Sequence, residues 1–182
     1  FSQRGKVTDE FLMACKSLWC NEDPRFEGTY ANFSDIYFAP KPYQKPHPPI
    51  WIGGEAPRSI RRAASIGTGW FPVGCNAKFP LDTTARLRAG ISLLHSELEK
   101  NKRNPSAFDV AYWAAWYGVS LDSPINSGER HLFTGDESQI SHDILSLDEL
   151  GVRFVVLNFV RESLEETLDE MERFKKDIDP FR

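Results

Sequence analysis

Pro48-Pro49-Ile50-Trp51-Ile52-Gly53-Gly54-Glu55-Ala56-Pro57-Arg58-Ser59 decides the fold. Three consecutive apolar residues read as a short buried strand. The strand stops at two glycines, and a helix starts at once, with Pro57 near its first turn where a missing N–H costs nothing. A strand that runs through a tight turn into a helix is the unit of a parallel α/β sheet.

The pattern continues downstream. The second helix spans Pro57 to Ser65, and Trp70-Phe71-Pro72-Val73 is a second short strand. A long helix runs from about Leu81 to Lys100, with apolar residues at 81, 87, 91, 94 and 98. A third strand spans about Phe108 to Val119, and Leu121 to Phe133 reads as a polar loop. Thr134-Gly135-Asp136-Glu137 has capping-box spacing and opens a helix with apolar 140, 144, 147 and 150, stopped by Gly151. Phe154-Val155-Val156-Leu157 is a continuous apolar run, the pattern of a strand buried on both faces. Ser163-Leu164-Glu165-Glu166 is a second capping box, and its helix carries apolar 164, 168, 171, 174 and 178, with Pro180 just beyond.

Upstream, Val7 to Trp19 has helical spacing at 7, 11, 12, 15, 18 and 19. Residues 20–48 mix Pro, Gly, Asn, Asp and aromatics. Two strand-like runs, Thr29 to Phe33 and Ile36 to Phe38, flank a turn at Ser34-Asp35. Five prolines fall within residues 40–49, which forbids helix and central strand alike and predicts an extended excursion. The expected organisation of residues 1–182 is therefore a single domain: a helix over 1–19, an excursion over 20–48 and four β/α units over 49–182. Strict alternation implies right-handed crossovers and a parallel sheet. Four such units are half of an eight-fold barrel, or an open sheet.

Composition narrows the function. The 182 residues include 22 Lys+Arg and 26 Asp+Glu, a net charge of −4, without the basic excess of a nucleic-acid footprint. Apolar residues make up 41%, which supports a core and excludes wholesale disorder. The longest apolar stretch, Val110 to Val119, is too short to span a bilayer as a helix. No signal or targeting segment is readable, so a cytoplasmic location is expected. Cys15, Cys20 and Cys75 are an odd set with no CxxC pair and read as reduced thiols. His47, His95, His131 and His142 stand outside metal-ligand spacing, so no metal site is expected, and each reads as a surface or structural residue. The carboxylates at 97–99 and 162–172 read as solvated helix faces. No Ser-His-Asp arrangement and no GxSxG are present.

Ligands of parallel β/α folds bind at the carboxyl ends of strands. Gly53-Gly54 lets the backbone approach a ligand, the next helix presents its N-terminus, Ser59 offers a hydroxyl and Arg58 a charge, a set that suits phosphate. From the residues alone, the same turn reads equally as a tight junction that needs glycine for its backbone. The second strand ends at Val73-Gly74-Cys75-Asn76, where Cys75 reads as an inert thiol. Aromatics of the third strand, Tyr112 to Tyr117, read as core or as the wall of an apolar pocket.

Taken together, Pro48-Pro49-Ile50-Trp51-Ile52-Gly53-Gly54, Arg61-Arg62-Ala63-Ala64 and Gly67-Thr68-Gly69-Trp70 resemble the luciferase-like flavin-dependent oxidoreductases. Arg4-Gly5 with Asp9-Glu10, Leu18-Trp19, Phe26 to Tyr30, Pro40 to Pro46, and Phe133-Thr134-Gly135 before a helix ending at Gly151-Val152 extend the resemblance over nearly the whole chain. The resemblance implies the C-terminal half of a (β/α)8 TIM barrel. It implies FMN or the deazaflavin coenzyme F-420 as cofactor, oxygenation or reduction of a small organic substrate, and a cofactor phosphate near Gly53, Gly54, Glu55, Ala56 and Ser59, with Val73 and Gly74 at the next strand end. Ala56 stands where many relatives carry Ser, and Thr68 where many carry Asp. The residues usually given catalytic roles belong to earlier strands, so no catalytic residue is assigned here. The chain also opens at Phe1 without an initiator Met and reads as a piece of something longer. Its expected partner is a second copy or the missing N-terminal half of the barrel. Rival readings are an F-420-dependent hydride-transfer dehydrogenase or reductase, and a non-catalytic half-barrel that binds a protein partner.

Overall fold

A computed structural model of the chain describes residues 3–117 and 129–178. Helix α1 (Arg4–Cys20) is followed by a small antiparallel pair, β1 (Phe26–Glu27) and β2 (Asn32–Phe33). Then come β3 (Trp51–Gly53), α2 (Pro57–Ile66), β4 (Gly69–Phe71), α3 (Thr84–Lys100), β5 (Asp109–Ala114), α4 (Glu137–Glu149), β6 (Phe154–Leu157) and α5 (Leu164–Arg173). A π-type turn, Phe174–Ile178, continues α5. Strands β3 to β6 form one sheet in chain order, and every pair is parallel. The expected alternation of strand and helix is therefore present.

The two faces of this sheet differ. Ile52, Trp70, Val110, Tyr112 and Ala114 are buried against the helices. Trp70 is the centre of that core: it has no exposed surface and lies against Gly90 of α3. The opposite face carries Trp51, Phe71, Trp113, Phe154 and Val156. Trp51 and Phe154 belong to the two outermost strands, yet their ring centroids are 4.9 Å apart. Three strand spacings on a flat sheet would set those strands about 14 Å apart, so the rings lean together over a concave surface. Gly69 makes room for Trp51, because a Cβ there would stand 2.5 Å from the indole Cδ1. Large residues from some strands set against glycine from others are how barrel interiors fill in layers.

This asymmetry corrects one expectation. The run Phe154–Leu157 is not buried on both faces: Phe154 and Val156 remain 45% and 42% exposed on the concave side. An apolar run shows that a strand has two apolar faces, not that both are covered. Other boundaries also shift. The antiparallel pair forms at Phe26–Glu27 and Asn32–Phe33, and Ile36–Phe38 is not a strand. The α4 capping box is Asp136 with Gln139, two residues later than the Thr134–Glu137 spacing suggests. The Ser163–Glu166 box forms as expected. Gly151 ends α4 with φ at 80°. The third strand stops at Ala114, and residues 115–117 form a turn instead of continuing it; the remainder of the expected strand up to Val119, most of the 121–133 loop and Pro180 lie outside the described residues. Glu97 is buried and ion-paired with Lys100, so the 97–99 cluster is not wholly a solvated face. No described helix is long and apolar enough to cross a membrane.

Candidate functional site

A cavity of about 620 Å³ opens at the carboxyl ends of β3 and β4. Its walls come from the first two turns of α1 (Arg4, Gly5, Lys6, Thr8), the β3–α2 junction (Gly54, Glu55, Ala56, Arg58, Ser59, Arg62), and the loop after β4 (Asn76, Lys78, Phe79). Five of the lining residues are cations and one, Glu55, is a carboxylate, in a chain of net charge −4. Positive charge gathered against the overall balance marks a surface for an anion.

The helix ends reinforce this. Helices α3, α4 and α5 are capped at their N-termini by Thr83, Asp136 and Ser163, and α4 and α5 carry acids in the first turn. Helices α1 and α2 have neither a side-chain cap nor an acidic residue in the first turn. Instead Arg4 and Lys6 begin α1, and Arg58 begins α2. Cations at a helix N-terminus oppose the helix dipole, which there favours negative charge. Both disfavoured ends open on the same cavity, where an anion would satisfy the amides and the cations together.

Gly54 shapes the junction. Its φ of +99° is a conformation that side chains rarely adopt, and a Cβ on it would lie 2.8 Å from Ser59 Oγ. Its carbonyl accepts a hydrogen bond from Trp70 Nε1 at 2.9 Å, tying the turn to the core. In the first turn of α2, the Ser59 amide bonds back to the Ala56 carbonyl at 2.7 Å. Arg62 pairs with Asp9, which fastens α2 to α1. Lys6, Arg58 and Lys78 form no ion pair among the described residues.

Of the residues expected to hold a cofactor, Gly54, Glu55, Ala56 and Ser59 line the cavity, whereas Gly53, Val73 and Gly74 do not. Glu55 is buried, and both its oxygens are engaged: Val73 N–H donates to one at 2.7 Å and Asn76 Nδ2 to the other at 2.9 Å. Gly74 is packed against the Tyr112 hydroxyl and the Trp116 ring, on the core side. Cys75 is exposed. Arg4, Arg62 and Asn76 stand in the motifs quoted above but were not expected at the cofactor, and Lys6, Thr8, Lys78 and Phe79 were not expected there either. The legible signal was a pair of cations opening a helix without an acid, at Arg4 and Lys6.

A second polar cluster closes the same end of the sheet. Tyr112 donates to the Leu81 carbonyl at 2.8 Å, and burial, reinforced by the nearby Asp82 charge, holds its phenol well above the usual tyrosine range. Asp82 meets Arg86 at 2.6 Å and His131 Nδ1 at 3.2 Å, all at the start of α3. Asp143 accepts two bonds from Arg130 and one from the Phe133 amide. His131 is buried here, in a structural position. No group of three or more His, Cys, Asp or Glu is placed to hold a metal ion among the described residues.

The family model of the luciferase-like monooxygenases matches residues 1–123, more than half of the chain. The chain belongs to the luciferase-like monooxygenase family. Over 98% of its length it is 36% identical to the FMNH(2)-dependent dimethylsulfone monooxygenase of Pseudomonas putida, of which it covers 58%. That alignment runs over 218 positions against 182 residues here, so the relative carries internal residues without a counterpart in this chain. A shorter match, 35% identical over 63 residues, covers 35% of this chain and 17% of the oxygenase component of a flavin-dependent trigonelline monooxygenase from Acinetobacter baylyi. Among solved structures, monooxygenase RslO1 from Streptomyces bottropensis superposes with a TM-score of 0.71 at 18% identity, over 98% of this chain and 61% of that one. The coenzyme F420 dependent tetrahydromethanopterin reductase from Methanopyrus kandleri superposes with a TM-score of 0.65 at 13% identity, over 95% and 61%. The fold is thus a luciferase-like half barrel, and the chain spans less than two thirds of the length of these relatives.

Proposed function

We propose that this chain is the phosphate-holding half of a flavin-dependent oxidoreductase that uses reduced FMN, or deazaflavin coenzyme F-420, to oxygenate or reduce a small organic substrate. The observation that carries this is the convergence of two uncapped, cation-bearing helix N-termini on one cavity at the strand ends. The residues present fit a phosphate-bearing cofactor: Gly54, Ala56 and Ser59 line the cavity at the start of α2, and Lys6, Arg58 and Lys78 supply the opposite charge.

In this reading the Gly54–Ser59 turn and the N-terminus of α2 hold the phosphate, with Arg58 and Lys6 neutralising its charge. A bound reduced flavin supplies the electrons, to oxygen or directly to a substrate as hydride. The concave face with Phe71 and Trp113, whose ring centroids are 6.5 Å apart, offers apolar walls that would exclude water once the sheet is completed. Similarity to an FMNH(2)-dependent relative favours reduced FMN. The excess of unpaired cations favours the second reading, F-420-dependent hydride transfer by a dehydrogenase or reductase, since one phosphate monoester carries only about −2. The exposed concave face and the open edges of β3 and β6 support completion of the sheet by further β/α units, from a longer protein or from a second copy.

The test is fluorescence titration of the chain with FMN and F-420 in parallel, with light scattering on the same sample. Saturable binding that Ser59→Ala weakens is the expected result. Binding to neither cofactor by a well-folded protein refutes the proposal and leaves the non-catalytic, partner-binding reading.

A further inference from the structure

The third wall of the cavity is the loop after β4, whose base is held by β5: Gly74 N–H donates to the Trp113 carbonyl at 3.3 Å and the Tyr112 hydroxyl to the Leu81 carbonyl at 2.8 Å. The Leu81 amide donates to the Gly74 carbonyl at 2.9 Å and closes residues 75–80 into a compact excursion. Within it, Asn76 Oδ1 accepts from the amides of Lys78 and Phe79, both at 3.0 Å. Asn76 Nδ2 donates to Glu55, whose other oxygen accepts from Val73 N–H. Two side chains therefore set the shape of the loop, and one of them comes from the β3–α2 junction across the cavity. A carboxylate in the wall of an anion site would repel its ligand; here both oxygens already hold donors of the facing loop. What the loop carries to the cavity is Lys78. Its Nζ stands 5.6 Å from the centre of the Phe79 ring, and both residues line the cavity.

We infer that Lys78 is an anion-binding residue of this site, and that Glu55 and Asn76 are positioning residues that hold its loop in place. The inference rests on the proposed cofactor reading. It assigns Glu55 to the loop rather than to the cofactor itself, and it explains why a carboxylate stands among five cations: it organises one of them.

The experiment titrates the wild-type chain with FMN or F-420, whichever binds more tightly, and with the corresponding phosphate-free parent, riboflavin or the bare deazaflavin. Lys78→Gln is expected to weaken the phosphate-bearing cofactor about fivefold to tenfold, to flatten its salt dependence, and to leave the phosphate-free parent unchanged. Lys78→Arg should restore most of the loss. Asn76→Ala should cost about as much as Lys78→Gln, and the double variant no more than the worse single one, because both remove the same contact. An affinity within about twofold of wild type in Lys78→Gln, an equal loss for the phosphate-free parent, or additive losses would each overturn the inference. Failure of the wild type to bind either cofactor overturns it together with the reading it rests on. Wild-type binding that is indifferent to Lys78 overturns this inference alone.

Discussion

Gly54→Ala is the sharpest test of the junction. At φ of +99° an L-residue is held in a sparsely populated region, which costs about 1–3 kcal/mol. The new Cβ would also stand 2.8 Å from Ser59 Oγ and 3.1 Å from Ser59 Cβ. The hydroxyl can rotate away, but the Cβ moves only with the start of α2. A loss of about 2 kcal/mol in a domain of this size lowers Tm by roughly 4–8 °C. Swinging Ser59 aside removes one donor, so affinity for a phosphate-bearing flavin should fall about tenfold as well. Gly53→Ala is the internal control: its Cβ would meet only the Phe71 carbonyl at 3.5 Å, an ordinary contact, and the cost should stay within about 0.5 kcal/mol. Differential scanning fluorimetry of the two variants, with and without FMN, reads both effects. Equal Tm values for the two, or a ligand-induced shift that survives Gly54→Ala undiminished, would refute the assignment of the turn.

Trp70→Phe keeps most of the buried apolar volume but leaves the Gly54 carbonyl without its indole donor. It should cost about 1–2 kcal/mol in urea unfolding and also weaken flavin binding, whereas an unchanged affinity would separate the core from the site. Asp143→Ala strands the buried Phe133 amide and removes the carboxylate facing Arg130, whose guanidinium keeps the carbonyls of His131, Thr134 and Gln139; it should destabilise by about 2 kcal/mol, seen as a lower denaturation midpoint, and a change under about 0.5 kcal/mol would count against the clamp. Burial pushes the Glu170 carboxyl up, but hydrogen bonds from Arg173 and Tyr117 outweigh it and hold the group below its ordinary value. A depressed folded value means that the stabilisation is present above the ordinary carboxylate range and is lost as pH falls through the folded value. Glu170→Gln should therefore be less stable than wild type at pH 7 and converge on it as the pH falls below the ordinary carboxylate range; a stability gap independent of pH would contradict the network.

Much of the architecture was legible because it rests on local rules. Strand-to-helix alternation, the Pro57 start, the Ser163 box and the Gly151 stop each depend on residues a few positions apart. The Gly53-Gly54 turn was legible as a junction with two meanings. The cation pattern that favours the anion reading was written in the sequence too, at Arg4, Lys6 and Arg58, but its significance depends on α1 and α2 opening on one cavity. Glu55 shows the opposite case. Its place in the motif suggested a ligand contact, and its partners, Val73 and Asn76, are 18 and 21 residues away.

Local patterns settle the parallel β/α order, the acidic balance and the region of the candidate site, because periodicity, caps and glycine turns act over a few residues. The tertiary structure alone decided which face of the sheet stays open, which helix ends share a cavity, and which side chain holds which loop. Those depend on the curl of the sheet, which brings Trp51 and Phe154 together from its two edges. No local pattern encodes that curvature; it emerges when the strands pair and the helices press on one side.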